Sequence, residues 1–259
     1  MLPVGNGNTL MSWLDGSNTK TEAGYGEMTL RAGIFSALGE TLSEWELDAR
    51  VCDCCQTSAA MSAAGPIIVY RDRSAEEIRD IYVPRYVNGD WTPPVAIHDA
   101  QWEIAGCPVN GPSVVAQGNF VAVGWFTAKD DSPKVQLALS TDSGEHFSAP
   151  ILVSGPDTIG RIDTAILANG QVAVSWLDTK AETAELTLSR FSAGGSLIDT
   201  TVVAGMSASR RSGFPIIETI GDDFLSKNDL KCFKIRAGPI ALLSLIHISE
   251  PTRRRGISY

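Results

Sequence analysis

No stretch of the 259-residue sequence holds the roughly 18 consecutive apolar residues that a spanning helix needs, so no membrane-spanning helix is expected. The opening residues, MLPVGNGNTLMSW, lack a basic segment followed by an apolar one, so no signal peptide is visible. No amphipathic pattern of about ten residues marks a helix. Positive charge is scarce: 21 Lys and Arg stand against 30 Asp and Glu, a formal net charge of -9. That balance argues against nucleic acid or an anionic membrane surface as partner. What is present is 44% hydrophobic residues at a mean hydropathy of +0.02, enough for the core of a soluble globular protein.

The strongest positive signal is an internal repeat. NTLMSWLDG, GPIIVYRDR, NFVAVGWFTA and GQVAVSWLDT each place an aromatic at the end of an apolar strand and follow it with a polar turn. The aromatics Trp13, Tyr70, Trp125 and Trp176 are separated by 57, 55 and 51 residues. After each comes an alternating segment (EMTLRAGIF, IRDIYVPRY, KVQLALSTD, AELTLSRFS), which is the strand signature. Candidate strands also precede the aromatic ones: TSAAMSAAG, PSVVAQGN and DTAILANG. A four-strand block recurring about every 50 residues predicts an all-β propeller, here about four blades of an incomplete ring, over residues 1–225.

Because strands alternate in direction, each blade sends two segments to the same face of the disc: the one entering its first strand and the turn between its second and third. Residues 50–56, 71–74, 106–110, 127–131, 160–163, 178–180 and 210–212 are therefore expected together. The turn between third and fourth strands should lie on the opposite face.

The repeat fails where a fifth aromatic is due, near residue 228. Residues 226–259 carry seven basic and two acidic residues, leaving 14 basic against 28 acidic before them. LSLIHISEPTR, residues 243–253, resembles the in-frame translation of a transposon end used in sequencing libraries. The expectation is that 226–259 is a non-native tail forming no regular fifth blade, and that the sequence is a fragment.

STDSGEHF, with Ser140, Asp142, Gly144 and Phe147, resembles the Asp-box, SxDxGxxF/W. Ser and Asp side chains satisfy turn backbone groups, Gly permits positive φ, and the aromatic packs beneath. Together with WLDG, EMTLRA, ARVCDCCQTSAA, YRDRSAEEIRD, GCPVNGP, GRID and RSGFP, it makes most of residues 8–225 similar to a bacterial group of sialidase-like, Asp-box repeat proteins. The resemblance implies a six-bladed propeller in the parent, export to the periplasm or beyond, and a carbohydrate partner, a terminal acidic sugar. It implies no cofactor.

Sialidase-type chemistry needs an arginine cluster for the sugar carboxylate, an Asp acid/base, and a Tyr nucleophile activated by Glu. The expected loop face gathers Arg50, Arg73 (with Arg71 beside it), Arg161 and Arg211 (with Arg210) as substrate-binding candidates, and Asp72 and Asp163 as catalytic ones. A FRIP-like arginine motif is absent, and no Tyr/Glu pair stands out: Tyr70 holds the core aromatic position, Tyr82 and Tyr86 lie on a strand, and only Tyr25 falls in a loop of that face.

Cys52, Cys54 and Cys55 in CDCC, and Cys107 in GCPVNGP, are a second candidate centre. Cys52 and Cys107 each lie 18 residues before a repeat aromatic, so they occupy equivalent places on adjacent blades. A bridge between Cys54 and Cys55 would be strained, and one from the CDCC loop to Cys107 is easier. Packed thiols, a soft-metal site with His98, and a redox or nucleophilic role remain open; the spacing does not make the paired CxxC pattern of a zinc site. Three functions follow: an acidic-sugar glycoside hydrolase, a non-catalytic glycan- or protein-binding propeller, or a metal or redox propeller.

Overall fold

The computed structural model describes residues 1–20, 24–180, 182–208, 213–220, 223–227, 232–236 and 245–246. They form an all-β arc of four-stranded antiparallel sheets. The first blade is β1 (Leu2–Pro3), β2 (Thr9–Asp15), β3 (Thr29–Phe35) and β4 (Thr41–Asp48). The second is β5 (Ser58–Ser62), β6 (Gly65–Arg71), β7 (Ile81–Val83) and an outer strand delayed by a small hairpin of β8 (Tyr86–Val87) and β9 (Asp90–Trp91); that outer strand is β10 (Val95–Ala96). The third is β11 (Ser113–Gln117), β12 (Phe120–Thr127), β13 (Lys134–Ser140) and β14 (Ile151–Ser154). The fourth is β15 (Thr158–Ile166), β16 (Val172–Lys180), β17 (Thr183–Phe191) and β18 (Leu197–Ser207).

The four predicted blades are thus present, with Trp13, Tyr70, Trp125 and Trp176 all on second strands. A fifth sheet runs across the expected break at 226: β19 (Ile216–Ile220), β20 (Asp223–Lys227), β21 (Cys232–Arg236) and β22 (Leu245–Ile246) pair in order. Backbone pairing needs no apolar alternation, and that is why the pattern along 223–236 gave no strand signal. Among the described residues no closed ring is seen: inner strands pack blade to blade from β1 to β19, and no comparable packing joins β19 back to β1.

The core lies between blades. Leu10, Leu30 and Ala32 of the first blade meet Ile68 and Tyr70 of the second. Ile67, Val69, Ile81 and Val83 meet Val121, Val123 and Trp125 of the third. Val135, Leu137 and Leu139 meet Val172, Val174 and Trp176 of the fourth. Each buried repeat aromatic therefore fills the seam toward the preceding blade. Both faces of a second strand are covered, so β6 reads as the continuous apolar run Ile67, Ile68, Val69, Tyr70, all fully buried. Each such side chain contributes roughly 1.5–3 kcal/mol. Inner strands β1, β5, β11, β15 and β19 follow one another around an axial opening lined by Leu2, Ala60, Val114, Ala165 and Ile217. No helix of the described residues is long and apolar enough to cross a membrane.

Candidate functional site

Arg71, the last residue of β6, ties the loop face together. It is 2% exposed, and its guanidinium is spent on backbone carbonyls. Nη1 donates to Arg79 O (2.6 Å), Nη2 to Asn110 O (2.9 Å) and Phe126 O (2.7 Å), and Nε to Asn110 O (3.1 Å). The cation also sits 4.9 Å from the Trp102 ring centroid. One side chain thus joins three chain segments of the second and third blades.

Beneath this hub lie the sulfurs. Cys54 and Cys107 form a disulfide with Cα atoms 6.2 Å apart, joining the segments that enter the second and third blades. Cys52 and Cys55 are buried thiols with sulfurs 3.2 Å apart, and Cys52 Sγ is 3.7 Å from Cys54 Sγ. Arg79 Nη1 donates to Cys52 Sγ at 3.2 Å while Nη2 is held by Glu77 (2.7 Å). The hydrogen bond with Cys55, then the Cys54 N–H and Arg79, bring Cys52 down to about 6 against the burial that raises it. Cys55 is pushed well above the thiol range by its bond with Cys52 and by burial.

Of the predicted arginines, Arg50 and Arg73 come together, around carboxylates. Arg73 grips Glu77 through Nε (3.1 Å) and Nη2 (2.7 Å) and approaches Glu27 and Asp53; Arg50 lies 3.6 Å from both Glu27 and Glu77. Arg73 and Arg79 hold the Glu77 carboxyl down to about 2. Arg211 lies outside the described residues. His98 is not among the sulfur cluster's neighbours: the group of possible ligands is Cys52, Cys54 and Cys55.

Asp72 faces the first blade instead. Desolvation and the neighbouring Asp48 carboxylate hold it up at about 7. Tyr70 donates its hydroxyl proton to Asp48, and the ring is fully buried. Burial and Asp48 push its pKa upward, opposite to what an activated phenolate nucleophile requires.

Arg161 and Asp163 border a cleft on the same face. A β-bulge in β15 puts Gly160 (φ 79°) and Arg161 (φ 55°) in the left-handed region. Asn110 braces the bulge: its Oδ1 accepts from Arg161 N (2.7 Å) and its Nδ2 donates to Ile159 O (3.1 Å). A Cβ at Gly160 would fall 2.4 Å from Asn110 Oδ1, so only glycine fits. The bulge sends Arg161 toward Phe214, its guanidinium 5.8 Å from the ring centroid, with Nη1 donating to Gly213 O. Asp163 accepts from Ser113 Oγ (2.8 Å), Thr164 N (2.9 Å) and Ile217 N (2.8 Å), linking blades three, four and five, and burial raises its pKa. Between these elements opens a cavity of about 480 Å³ lined by Gln56, Thr57, Ser58, Val109, Asp163 and Phe214 among others. A second hollow of about 260 Å³, sharing Val109 and Phe214, reaches Arg161.

Four of the stretches singled out in the sequence meet at this cleft: CDCCQTS, GCPVNGP, GRID and, from RSGFP, its described residues 213–215. Asn110, Arg79, Glu77 and Phe214 were not among the predicted site residues. The only signal for them is their place inside those stretches and YRDRSAEEIRD. On the far face, Ser140 Oγ accepts from Gly144 N (2.9 Å), Asp142 accepts from His146 N (3.0 Å), and Phe147 packs against the second and third blades' core.

No family model matches the chain, and no curated protein does. Solved structures do. A protein of unknown function from Dyadobacter fermentans superposes with a TM-score of 0.57 at 11% identity, over 92% of this chain and 80% of that one. An ulvan lyase of a new polysaccharide lyase family, bound to a ligand of glucuronic acid and sulfated rhamnose, gives 0.54 at 10% identity over 93% and 68%. A further polysaccharide lyase gives 0.51 at 12% identity over 89% and 63%. At these identities the likeness is one of fold.

Proposed function

We propose that the chain is a carbohydrate-binding propeller that takes an acidic glycan in the cleft between residues 56–58 and Phe214. The observation that carries this reading is the composition of the 480 Å³ cavity: an aromatic face, the hydroxyls of Thr57 and Ser58, and Arg161 in the adjoining hollow. Its size lies within the usual range for ligand pockets. A guanidinium suits a sugar carboxylate, and the apolar face of a sugar ring suits Phe214. That a structure of similar fold holds a glucuronic acid ligand supports the choice of an acidic sugar. The Cys54–Cys107 disulfide supports an exported setting.

A second reading is sialidase-like hydrolysis, with Asp72, raised to about 7 by burial and Asp48, as general acid; it would need the sugar to reach from the cleft toward the first blade, which Asp72 faces. Calorimetric titration of the full chain with uronic- or sialic-acid-terminated oligosaccharides and their neutral counterparts separates the outcomes. Acidic ligands should bind selectively and lose about tenfold on Phe214→Ala. Equal binding of neutral ligands, or indifference to Phe214→Ala, overturns the binding reading. Release of an acidic sugar that Asp72→Asn abolishes while binding persists would establish hydrolysis.

A further inference from the structure

We propose that the four cysteines of the loop face form an intramolecular thiol–disulfide relay, in which the buried Cys52/Cys55 dithiol and the Cys54–Cys107 disulfide exchange oxidation state. The relay rests on three placements. Cys52 Sγ lies 3.7 Å from Cys54 Sγ, so the nucleophile is already beside the disulfide sulfur it would attack. Cys55 Sγ lies 3.2 Å from Cys52 Sγ, so a resolving thiol stands behind the nucleophile. Cys107, the group that must leave, is exposed, whereas Cys52 and Cys55 are buried.

The steps balance without an outside oxidant. Cys52 thiolate attacks Cys54 Sγ, the Cys54–Cys107 bond breaks, and Cys107 departs as a thiolate that takes a proton from water. Cys55, deprotonated, then attacks Cys52 Sγ; the Cys52–Cys54 bond breaks, Cys52–Cys55 forms, and Cys54 takes up a proton. Two thiol protons leave Cys52 and Cys55, and two arrive at Cys54 and Cys107. Arg79, 3.2 Å from Cys52 Sγ and braced by Glu77, stabilises the attacking thiolate. A polar hollow of about 300 Å³ lined by Asp53, Arg73, Glu77, Arg79 and Cys107 opens the leaving sulfur to solvent.

The two end states differ in what they pin. Cys54–Cys107 crosslinks the second blade's entry segment to the third blade's, over 53 residues of chain. Cys52–Cys55 closes only one turn of a single loop and releases residues 107–110. Because Val109 lines the cleft and Asn110 braces the Arg161 bulge, the exchange would loosen the cleft wall.

Differential alkylation of the full chain with mass-spectrometric mapping of each disulfide tests the relay. Held at neutral pH with no added reductant or oxidant, the chain should show both Cys54–Cys107 and Cys52–Cys55, interconverting with the free-thiol count constant. Cys55→Ser should accumulate the Cys52–Cys54 intermediate, and Arg79→Gln should slow exchange about tenfold. Exclusive recovery of Cys54–Cys107 under all conditions in the unmutated chain overturns the proposal. So does stoichiometric zinc or copper in the reduced protein with no exchange, which would make the cluster a metal site.

Discussion

The two rims of the third blade spend their polar residues differently. At the turn between β13 and β14, Ser140 and Asp142 satisfy donors no more than four residues away. At the opposite rim, Arg71 reaches carbonyls 39 and 55 residues on, and Asn110 reaches 49 and 51. Asp163 closes the same rim by accepting from Ser113 and Ile217, 50 and 54 residues away. One rim is built on a local motif, with ties from Ser143 to Asn119 and from Glu145 to Arg85. The other exists only once the blades have assembled, and it alone carries the bulge, the disulfide and the cleft. A rim that depends on assembly can place groups from several blades within reach of one ligand, which a self-contained turn cannot do.

If this contrast is real, the largest effect should come from Arg71. Arg71→Met leaves three carbonyls of the second and third blades without their buried charged donor. The expected cost is about 3 kcal/mol or more in denaturant unfolding. A loss below about 1 kcal/mol would mean that the rim is held elsewhere. Next comes the crosslink. For a closed loop of 53 residues, chain entropy sets a ceiling of roughly 4 kcal/mol, and Cys107→Ser should cost about 2–4 kcal/mol in the same experiment.

A smaller effect, visible as a slope rather than a step, belongs to Asp72. Its folded-state pKa of about 7 lies above the ordinary 3.8 because of burial, Asp48 and Asp80. Between about pH 4 and 7 the unfolded chain releases this proton while the folded one keeps it, so wild-type stability contributed by this group falls as pH rises and levels off above the folded value. Asp72→Asn removes that dependence. The stability difference, variant minus wild type, should therefore grow from about pH 4 to 7 in thermal unfolding scans. A flat difference would show that Asp72 ionises freely in the folded protein.

The same contrast explains what was legible in the sequence. Trp125 and Trp176 announced their strands because a second strand covered on both faces must be a continuous apolar run, and STDSGEHF announced its turn because the partners of Ser140 and Asp142 are their neighbours. The four stretches that meet at the cleft were visible as stretches. What could not be read was the role of single residues in them, since Arg71 and Arg73 look alike in a sequence. Arg71 ends β6 and is buried among carbonyls, two of them dozens of residues away, whereas Arg73 lies past the strand's end, half-buried beside Glu77. The outer strands of the fifth sheet carry neither a repeat aromatic nor the apolar run of the other blades, since main-chain pairing by itself requires neither.

The smallest effect, and the sharpest test of independence between the rims, is Ser140→Ala. Ser140 Oγ accepts from Gly144 N and Asp142 N and donates to Asp142 Oδ1. Losing it strands one buried donor at a turn that Ser143 (φ 59°) and Gly144 (φ 78°) already hold in the left-handed region. The expected cost is about 1 kcal/mol, in the range of a lost capping hydroxyl. Because its partners all lie between residues 140 and 146, nothing should propagate across the disc. Disulfide mapping at Cys54–Cys107 and acidic-glycan affinity should match the wild type within error. A Ser140→Ala protein that retains its fold but alters thiol exchange or glycan binding would show that the two rims are coupled through β13, and that the local turn helps to position the assembled face.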